Sequence, residues 1–326
     1  MRTMLLAALH AVLLLTSALA AAEDNYPQRS IRLIVPFAPG GASDFTARMI
    51  SKALSEELKQ SIIVENRGGA AGNIGMEVAA KAAADGYTIF LGNVGATAIN
   101  PSVFAGTLKI KPEQDFIAVT LVADVPDVLV VTPSLPVSTL SEFVAYASKR
   151  KGALNFGSPG SGSQNRLEME SLIKEAKLSM VHVPYKGGAG PAMIDLIGGQ
   201  TQVMFTTMPS AMSFIKSGRV KALAVTSARR LADLPAVPTL VEQGYPAMVS
   251  SSWQGIFVPH GTPLPVVNRL FAAFTKVMAQ QAVKDGLATG GVLAATSTSR
   301  EEFAAFLSAE ILRWGKVVRE NNITAD

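Results

Sequence analysis

The stretch Ile31-Arg32-Leu33-Ile34-Val35-Pro36-Phe37-Ala38-Pro39-Gly40-Gly41-Ala42-Ser43-Asp44 decides how the rest of the chain is read. Ile31 to Val35 is short and rich in branched apolar residues, the signature of a buried strand. Pro36 and Pro39 have no backbone N–H and stop its ladder. Gly40-Gly41 permits a tight turn and leaves amide hydrogens uncovered by side chains. Ser43 or Asp44 offers an N-cap for a helix in which Phe45, Met49, Ala53 and Leu58 recur near helical spacing. The predicted product is a strand, a bare glycine turn and a helix N-terminus whose free N–H groups and dipole attract an anion. A plain connecting turn is the other reading of these residues taken alone.

The same pattern continues outward. Ser61 to Glu65 reads as a second strand, followed by the glycine-rich Asn66 to Gly75 and a helix over Met76 to Ala84. Tyr87 to Leu91 is a third strand, with Gly92 to Thr97 after it. Strands alternating with helices imply βαβ units and a mostly parallel sheet, and in such sheets ligands bind beyond the strands' carboxyl ends. Two apolar runs in Val119 to Val131 flank Asp124-Val125-Pro126-Asp127, which reads as a crossing into a second domain. There the device repeats after a helix over Thr139 to Lys149. Leu154 to Phe156 is followed by Gly157 to Gly162 and a helix from Ser163 to Lys177. Met180 to Tyr185 then leads through Lys186 to Pro191 into a helix over Ala192 to Ile197. Gln202 to Thr206 and Lys221 to Thr226 are further strands, and Gly255 to Pro259 is a returning strand ahead of a helix over Pro265 to Ala279. Ser299 and Glu302 are spaced as a capping box for a closing helix with an apolar face of Phe303, Phe306, Leu307, Ile311, Trp314 and Val318.

At 326 residues the chain has room for two domains. Its first 22 residues read as a secretory signal peptide. Arg2 gives a positive start, Met4 to Leu15 an apolar run too short to span a bilayer, and cleavage is expected after Ala20 or Ala22. The remainder has 28 basic residues against 25 acidic, scattered except for Lys149-Arg150-Lys151, so no nucleic-acid surface is indicated. The chain has no cysteine, which excludes a lipid-anchored amino terminus, disulfides and thiol chemistry. No cofactor or metal is expected. Beyond the leader only His182 and His260 remain, no Gly-x-Ser-x-Gly elbow frames a serine, and no metal-ligand spacing appears, which argues against a serine hydrolase or metalloenzyme.

The segments IRLIVPFAPGGASD (31–44), VENRGGAAGNIG (64–75), DGYT (85–88), AINP (98–101), NFGSPGSG (155–162), VPYKGG (183–188), DLIGGQ (195–200), ALAVTS (222–227) and SSW (251–253), in this order, make the chain resemble one known family. It is similar to the Bug family of extracytoplasmic solute receptors, the substrate-binding components of tripartite tricarboxylate transporters. The resemblance spans essentially all of the chain after the leader. It implies an α/β, two-domain periplasmic binding protein of type II, a Venus flytrap. Domain I would be formed by residues 23–124 and 250–326 and domain II by 125–249, with hinge crossings near 122–128 and 226–253. It implies a monomer in the periplasm that holds a small carboxylated solute between its domains and delivers it to membrane permease subunits. A receptor read by a membrane sensor shares the same fold and ligand site.

The ligand contacts implied in the first loop are Phe37, Pro39, Gly40, Gly41, Ser43 and Asp44, with Asp44 also expected to order the loop as a cap. Asn73, Asn93 and Thr97 follow at strand ends. In the second half they are Ser158, Gly160, Ser161, Gly162, Arg166 and Thr206, one of the serines being expected to serve as the helix cap. Two of these depart from the family pattern as we know it: Arg166 stands where His is frequent and Thr206 where Asp is frequent. If both side chains reach the cleft, its second wall is less negative than usual, which favours a dicarboxylate over an amino acid. Tyr185 with Lys186 reads as either a packed rim or a contact, and Trp253 as a hinge or core residue.

Overall fold

The structure is a computed structural model that describes residues 26–185, 187–321 and 323–325. The leader and Lys186 lie outside the described residues. The strands are β1 (Ile31–Val35), β2 (Ile62–Asn66), β3 (Thr88–Asn93), β4 (Phe116–Asp124), β5 (Asp127–Val131), β6 (Asn155–Ser158), β7 (Val181–Pro184), β8 (Val203–Thr207), β9 (Lys221–Val225), β10 (Gln254–Pro259) and β11 (Leu293–Ala294). The helices are α1 (Ala42–Leu58), α2 (Asn73–Ala80), α3 (Asn100–Val103), α4 (Pro112–Asp115), α5 (Leu140–Ser148), α6 (Gln164–Glu175), α7 (Ala189–Ile197), α8 (Met208–Lys216), α9 (Leu264–Ala279), α10 (Gln281–Ala288) and α11 (Arg300–Glu320).

The strands form two sheets, ordered β11-β4-β10-β3-β1-β2 and β7-β6-β8-β5-β9. Ile31, Leu33, Ile34 and Val35 are all fully buried, because β1 has a strand on either side and helices cover both faces of its sheet. That is why the opening strand reads as a continuous apolar run and not as an alternation. The sheets are mixed, whereas the strand–helix alternation alone predicts mostly parallel ones. β1 pairs in parallel with β2 and β3, but β10 runs antiparallel to β3 and β4. In the second sheet β6 is parallel to β7 and β8, while β5 is antiparallel to β8 and β9. The antiparallel strands β10 and β5 are the ones laid down by the chain just after it changes sheets.

β4 belongs to one sheet and β5 to the other, so the chain changes sheets at Val125-Pro126 and returns between β9 and β10. The two passages are laced together. Ser252 N donates to Val125 O at 2.8 Å, and Asp127 N donates to Thr226 Oγ1 at 3.0 Å. Thr226 Oγ1 in turn donates to Ser250 O at 3.0 Å.

Three helix readings shift, one of them α7, which starts at Ala189 and not at Ala192. α1 starts at Ala42 with Gly41 as its N-cap, so neither Ser43 nor Asp44 is the cap. Its buried face is Ala47, Ile50, Leu54 and Leu58; Met49, expected on that face, is 38% exposed. α2 spans Asn73–Ala80, earlier and shorter than expected. In α11, Ser299 caps the Glu302 amide, while the Glu302 carboxylate accepts from Thr298 N at 2.5 Å. Trp253 is buried core: its Nε1 donates to Glu310 Oε2 at 2.8 Å, and Trp314 Nε1 donates to the same oxygen at 2.9 Å.

Candidate ligand-binding cleft

The two sheet-centred lobes meet around a cavity of about 50 Å³. From the first lobe it is lined by Phe37, Ala38, Gly41, Ala42 and Ser43, by Asn93, Val94 and Gly95, and by Ser252 and Gln254 at the return passage. From the second lobe come Pro159, Ser163, Gln164 and Asn165, then Gly187, Gly188, Ala189 and Gly190, and Thr207. These positions are helix beginnings. Gly41 is the N-cap of α1, Ser163 of α6, Gly188 of α7 and Thr207 of α8. Four helix N-termini therefore face one small space; α1, α6 and α7 bring amides with no partner within their own helix, whereas in α8 the Met208 amide donates to Pro126 O at 3.1 Å and Pro209 has no N–H. Their dipoles add a positive potential there. None of the described lining residues is charged.

The first loop is braced from behind. Asp44 Oδ2 accepts the Gly40 amide at 3.0 Å, and both Asp44 oxygens accept from Arg48 Nε at 3.0 Å. Burial pushes the Asp44 carboxyl up, but the hydrogen bonds from Arg48, Gly40 and Asn66 outweigh it and hold it below its ordinary value. Asp44 thus orders the loop, from the third position of the helix and not from its cap. It also consumes the Gly40 amide. Gly40 has φ +91°, where a side chain is strained, and so is explained by the turn. Gly41 is not: its φ is −89°, and a Cβ built on it meets nothing within 4 Å. Conformation and packing leave that position free for a side chain, and it opens onto the cavity.

The predicted residues divide accordingly. Phe37, Gly41, Ser43 and Asn93 line the cavity; Pro39, Gly40 and Asp44 shape the loop behind it. Thr97 is buried, with Oγ1 donating to Asn93 O at 2.7 Å, and Asn73 Oδ1 accepts from Asn100 Nδ2; neither Thr97 nor Asn73 lines the cavity. Ser158 is buried within its own loop. Its Oγ accepts the Gly160 amide at 3.3 Å and lies 2.7 Å from His182 Nε2. That pair pins the turn in which Gly160 adopts φ +130°. Ser158, Gly160, Ser161 and Gly162 are absent from the cavity wall; Ser163 lines it and caps α6 by accepting from Arg166 N at 3.3 Å.

The two departures that carried the specificity argument do not reach the cleft. Arg166 turns away from it, and its Nη1 donates to Thr324 O at 3.0 Å and Ser161 O at 3.3 Å. Thr206 is fully buried in β8, and its neighbour Thr207 lines the cavity. The reason is geometric, since adjacent strand residues face opposite sides and successive helix residues differ by 100°. Tyr185 is held at the rim, its hydroxyl donating to Asp195 Oδ2 at 2.7 Å.

Gln164, Asn165, Thr207, Ser252, Gln254 and the turn 187–190 were not among the candidates. The last of these repeats the strand, proline and double glycine of the opening stretch, so the same signal would have found it. Behind Gln164 and Asn165 lie two buried carboxyls, Asp127 and Glu168. Gln164 Nε2 donates to Asp127 Oδ2 at 3.1 Å and to Glu168 Oε1 at 2.9 Å, and Asn165 Nδ2 donates to Glu168 Oε2 at 3.3 Å. Burial and then the neighbouring Glu168 charge push Asp127 well above the ordinary carboxylate range; burial also raises Glu168, opposed by its hydrogen bonds. Burial and mutual repulsion thus favour the protonated form, most strongly at Asp127.

Two lobes built on mixed sheets, joined by paired crossings around an anion-attracting cleft, define a periplasmic binding protein fold. The chain belongs to the tripartite tricarboxylate transporter receptor family, whose model matches residues 46–323, and that family is one of substrate-binding receptors and not enzymes. Among solved structures it is similar to the periplasmic binding protein BugD, with 31% identity, a TM-score of 0.87 and coverage of 92% of this chain and 100% of that one. A Rhodopseudomonas palustris protein with adipate is 34% identical at TM-score 0.88, covering 92% and 99%. MatC from the same organism, with bound malate, is 33% identical at TM-score 0.83, covering 90% and 100%.

Proposed function

We propose that this protein captures a small dicarboxylate in the periplasm, between its two lobes, and presents it to permease subunits of a tripartite tricarboxylate-type transporter. One observation carries the reading: four helix N-termini converge on a cavity whose described walls hold no charged side chain. Such a site stabilises anions through amides and dipoles, and it offers no carboxylate to an ammonium group. The adipate and malate held by the two R. palustris relatives support a dicarboxylate.

The mechanism is closure about the paired crossings at 124–127 and 226–253, with residues 26–124 and 250–325 moving against 125–249. The cavity has room for only a few waters. A four- to six-carbon acid therefore enters when the lobes part, and closure brings amides from both lobes onto its carboxylates. The ligand drives closure only by its higher affinity for the closed form, and the closed surface is what the permease reads.

Thermal-shift titration against mono-, di- and tricarboxylates and the matching amino acids tests this. A ligand at a hundred times its Kd stabilises by about 2.7 kcal/mol. A shift with one or more dicarboxylates, larger than with the corresponding amino acid, is expected. A larger shift with amino acids, or none with any acid, contradicts the reading.

A further inference from the structure

A second cavity, of about 660 Å³, lies against both passages between the lobes. Its apolar wall is Leu121, Ala123, Leu293 and Phe306 from the first lobe, Leu231 from the second and Trp253 from the return passage. Phe306 meets Trp253 edge to face, with ring centroids 5.3 Å apart. Along the return passage Ser251 and Trp253 line this cavity, whereas Ser252 and Gln254 line the cleft. Alternate residues of an extended segment face opposite sides, so the two spaces lie back to back across the crossing. A mostly apolar concavity of this size, set between domains and carrying a few polar groups, has the make-up of a small-molecule site.

The charges around it are answered with one half-buried exception. Arg230 is spent on Glu242 at 3.0 Å and on Pro235 O, and Arg313 on Glu310, whose other oxygen holds the two indoles. Arg229 is exposed. Asp124, at the end of β4, is partly exposed and lines the cavity, and its carboxylate has no hydrogen-bond or ion-pair partner among the described residues. Only its Oδ1 is enclosed, which leaves Oδ2 open to an incoming donor. Burial alone raises this carboxyl above its ordinary value, with no donor to offset it.

We propose that this cavity is a second ligand site, taking a small apolar amine whose ammonium pairs with Asp124, and that its occupant favours the closed lobes. The ammonium supplies the donors and the charge that Asp124 lacks, while the apolar wall takes the hydrocarbon body. An alcohol of the same shape gains only the wall, and a carboxylate meets the Asp124 charge. The coupling rests on the lobe closure proposed above. Drawing the lobes together at the cleft parts them on the far side of the passages, and here the cleft cavity measures about 50 Å³ against about 660 Å³ behind it. A ligand filling the larger space therefore opposes reopening of the cleft, and such a coupling is reciprocal.

Calorimetric titration of the protein with tryptamine, tryptophol and indole-3-propionate, which share one ring system and differ in charge, tests the site. Tryptamine is expected to bind at least about tenfold tighter than either of the others. Asp124→Asn should bring tryptamine to within about threefold of tryptophol. Ala295→Phe, which fills the cavity from a half-buried wall position, should weaken tryptamine about tenfold or more. Tighter binding of indole-3-propionate, equal binding of the three, binding of none, or a tryptamine affinity unchanged in either variant overturns the site. For the coupling, saturating malate or adipate should tighten tryptamine about threefold or more, and tryptamine should tighten that acid by the same factor. Gly162→Ala, whose added Cβ crowds Asn100 across the lobes, should weaken tryptamine with no acid present. Tryptamine binding indifferent to both the acid and Gly162→Ala overturns the coupling. Failure of both acids to bind contradicts the dicarboxylate reading alone, because the amine titrations need no acid in the cleft.

Discussion

Gly162 of the second lobe and Asn100 of the first approach so closely that a Cβ on Gly162 would lie 1.8 Å from Asn100 Oδ1. Asn100 has little room to withdraw, since its Nδ2 donates to Ala71 O at 2.9 Å. The position is glycine for a contact between lobes and not for its own backbone, because its φ is not positive.

Gly162→Ala should therefore penalise closure while sparing each lobe. Overpacking of this kind costs about 1–3 kcal/mol, so dicarboxylate affinity is expected to fall about five- to hundredfold. The ligand-free melting temperature should move by less than about 2 °C. Adding Asn100→Ala should restore much of the affinity, and calorimetry on the single and double variants measures both.

Glu310 ties the closing helix to the return passage by accepting both buried indole N–H groups, with Arg313 Nη1 on its other oxygen at 3.2 Å. Glu310→Leu strands two buried donors and is expected to destabilise by about 2–5 kcal/mol. Glu310→Gln keeps an acceptor for the indoles and should cost about half as much or less. Chemical denaturation of the three proteins checks the order.

The buried acid pair predicts a pH dependence of definite sign. Asp127 and Glu168 have folded-state pKa values above their ordinary ones of 3.8 and 4.5. A carboxyl raised in this way contributes stability that is complete below its unfolded pKa and is lost as pH rises through the folded one. Glu168→Gln removes one titrating partner and the repulsion on the other. Relative to the parent, the variant should gain stability between pH 5 and pH 8, by about 1.4 kcal/mol for each pKa unit of elevation removed. Groups with lowered values, such as Asp44, are common to both proteins and cancel in the difference. Melting curves of both proteins at several pH values provide the measurement.

The opening strand, its glycine turn and the helix behind it were legible because each depends on local chemistry: branched apolar residues, proline stops and bare amides. The second-lobe turn at 157–162 was legible as a turn, but of its residues only Pro159 lines the cavity. Ser158 is spent on the Gly160 backbone and on His182, and Ser163 on Gly160 O, which only tertiary packing reveals. Arg166 and Thr206 were placed by family position, and which way they face depends on single-residue phase. Gln164 carries no local signal; it matters because Asp127, distant in sequence, arrives behind it through the crossing. The mixed sheets were hidden for a similar reason. Strand direction after a change of sheet is set by topology, which the residues of β5 and β10 do not encode locally.

Gly41 provides the most direct test of the central claim, since its backbone tolerates a side chain and only the cleft is in the way. Calorimetric titration of the parent and Gly41→Leu proteins with succinate, malate and adipate is the measurement. The account predicts binding by the parent, loss of at least about a hundredfold in affinity in Gly41→Leu, and melting temperatures of the ligand-free proteins within about 2 °C of each other. A Gly41→Leu protein that folds as well and binds the acid as tightly as the parent would place the ligand elsewhere and contradict the account.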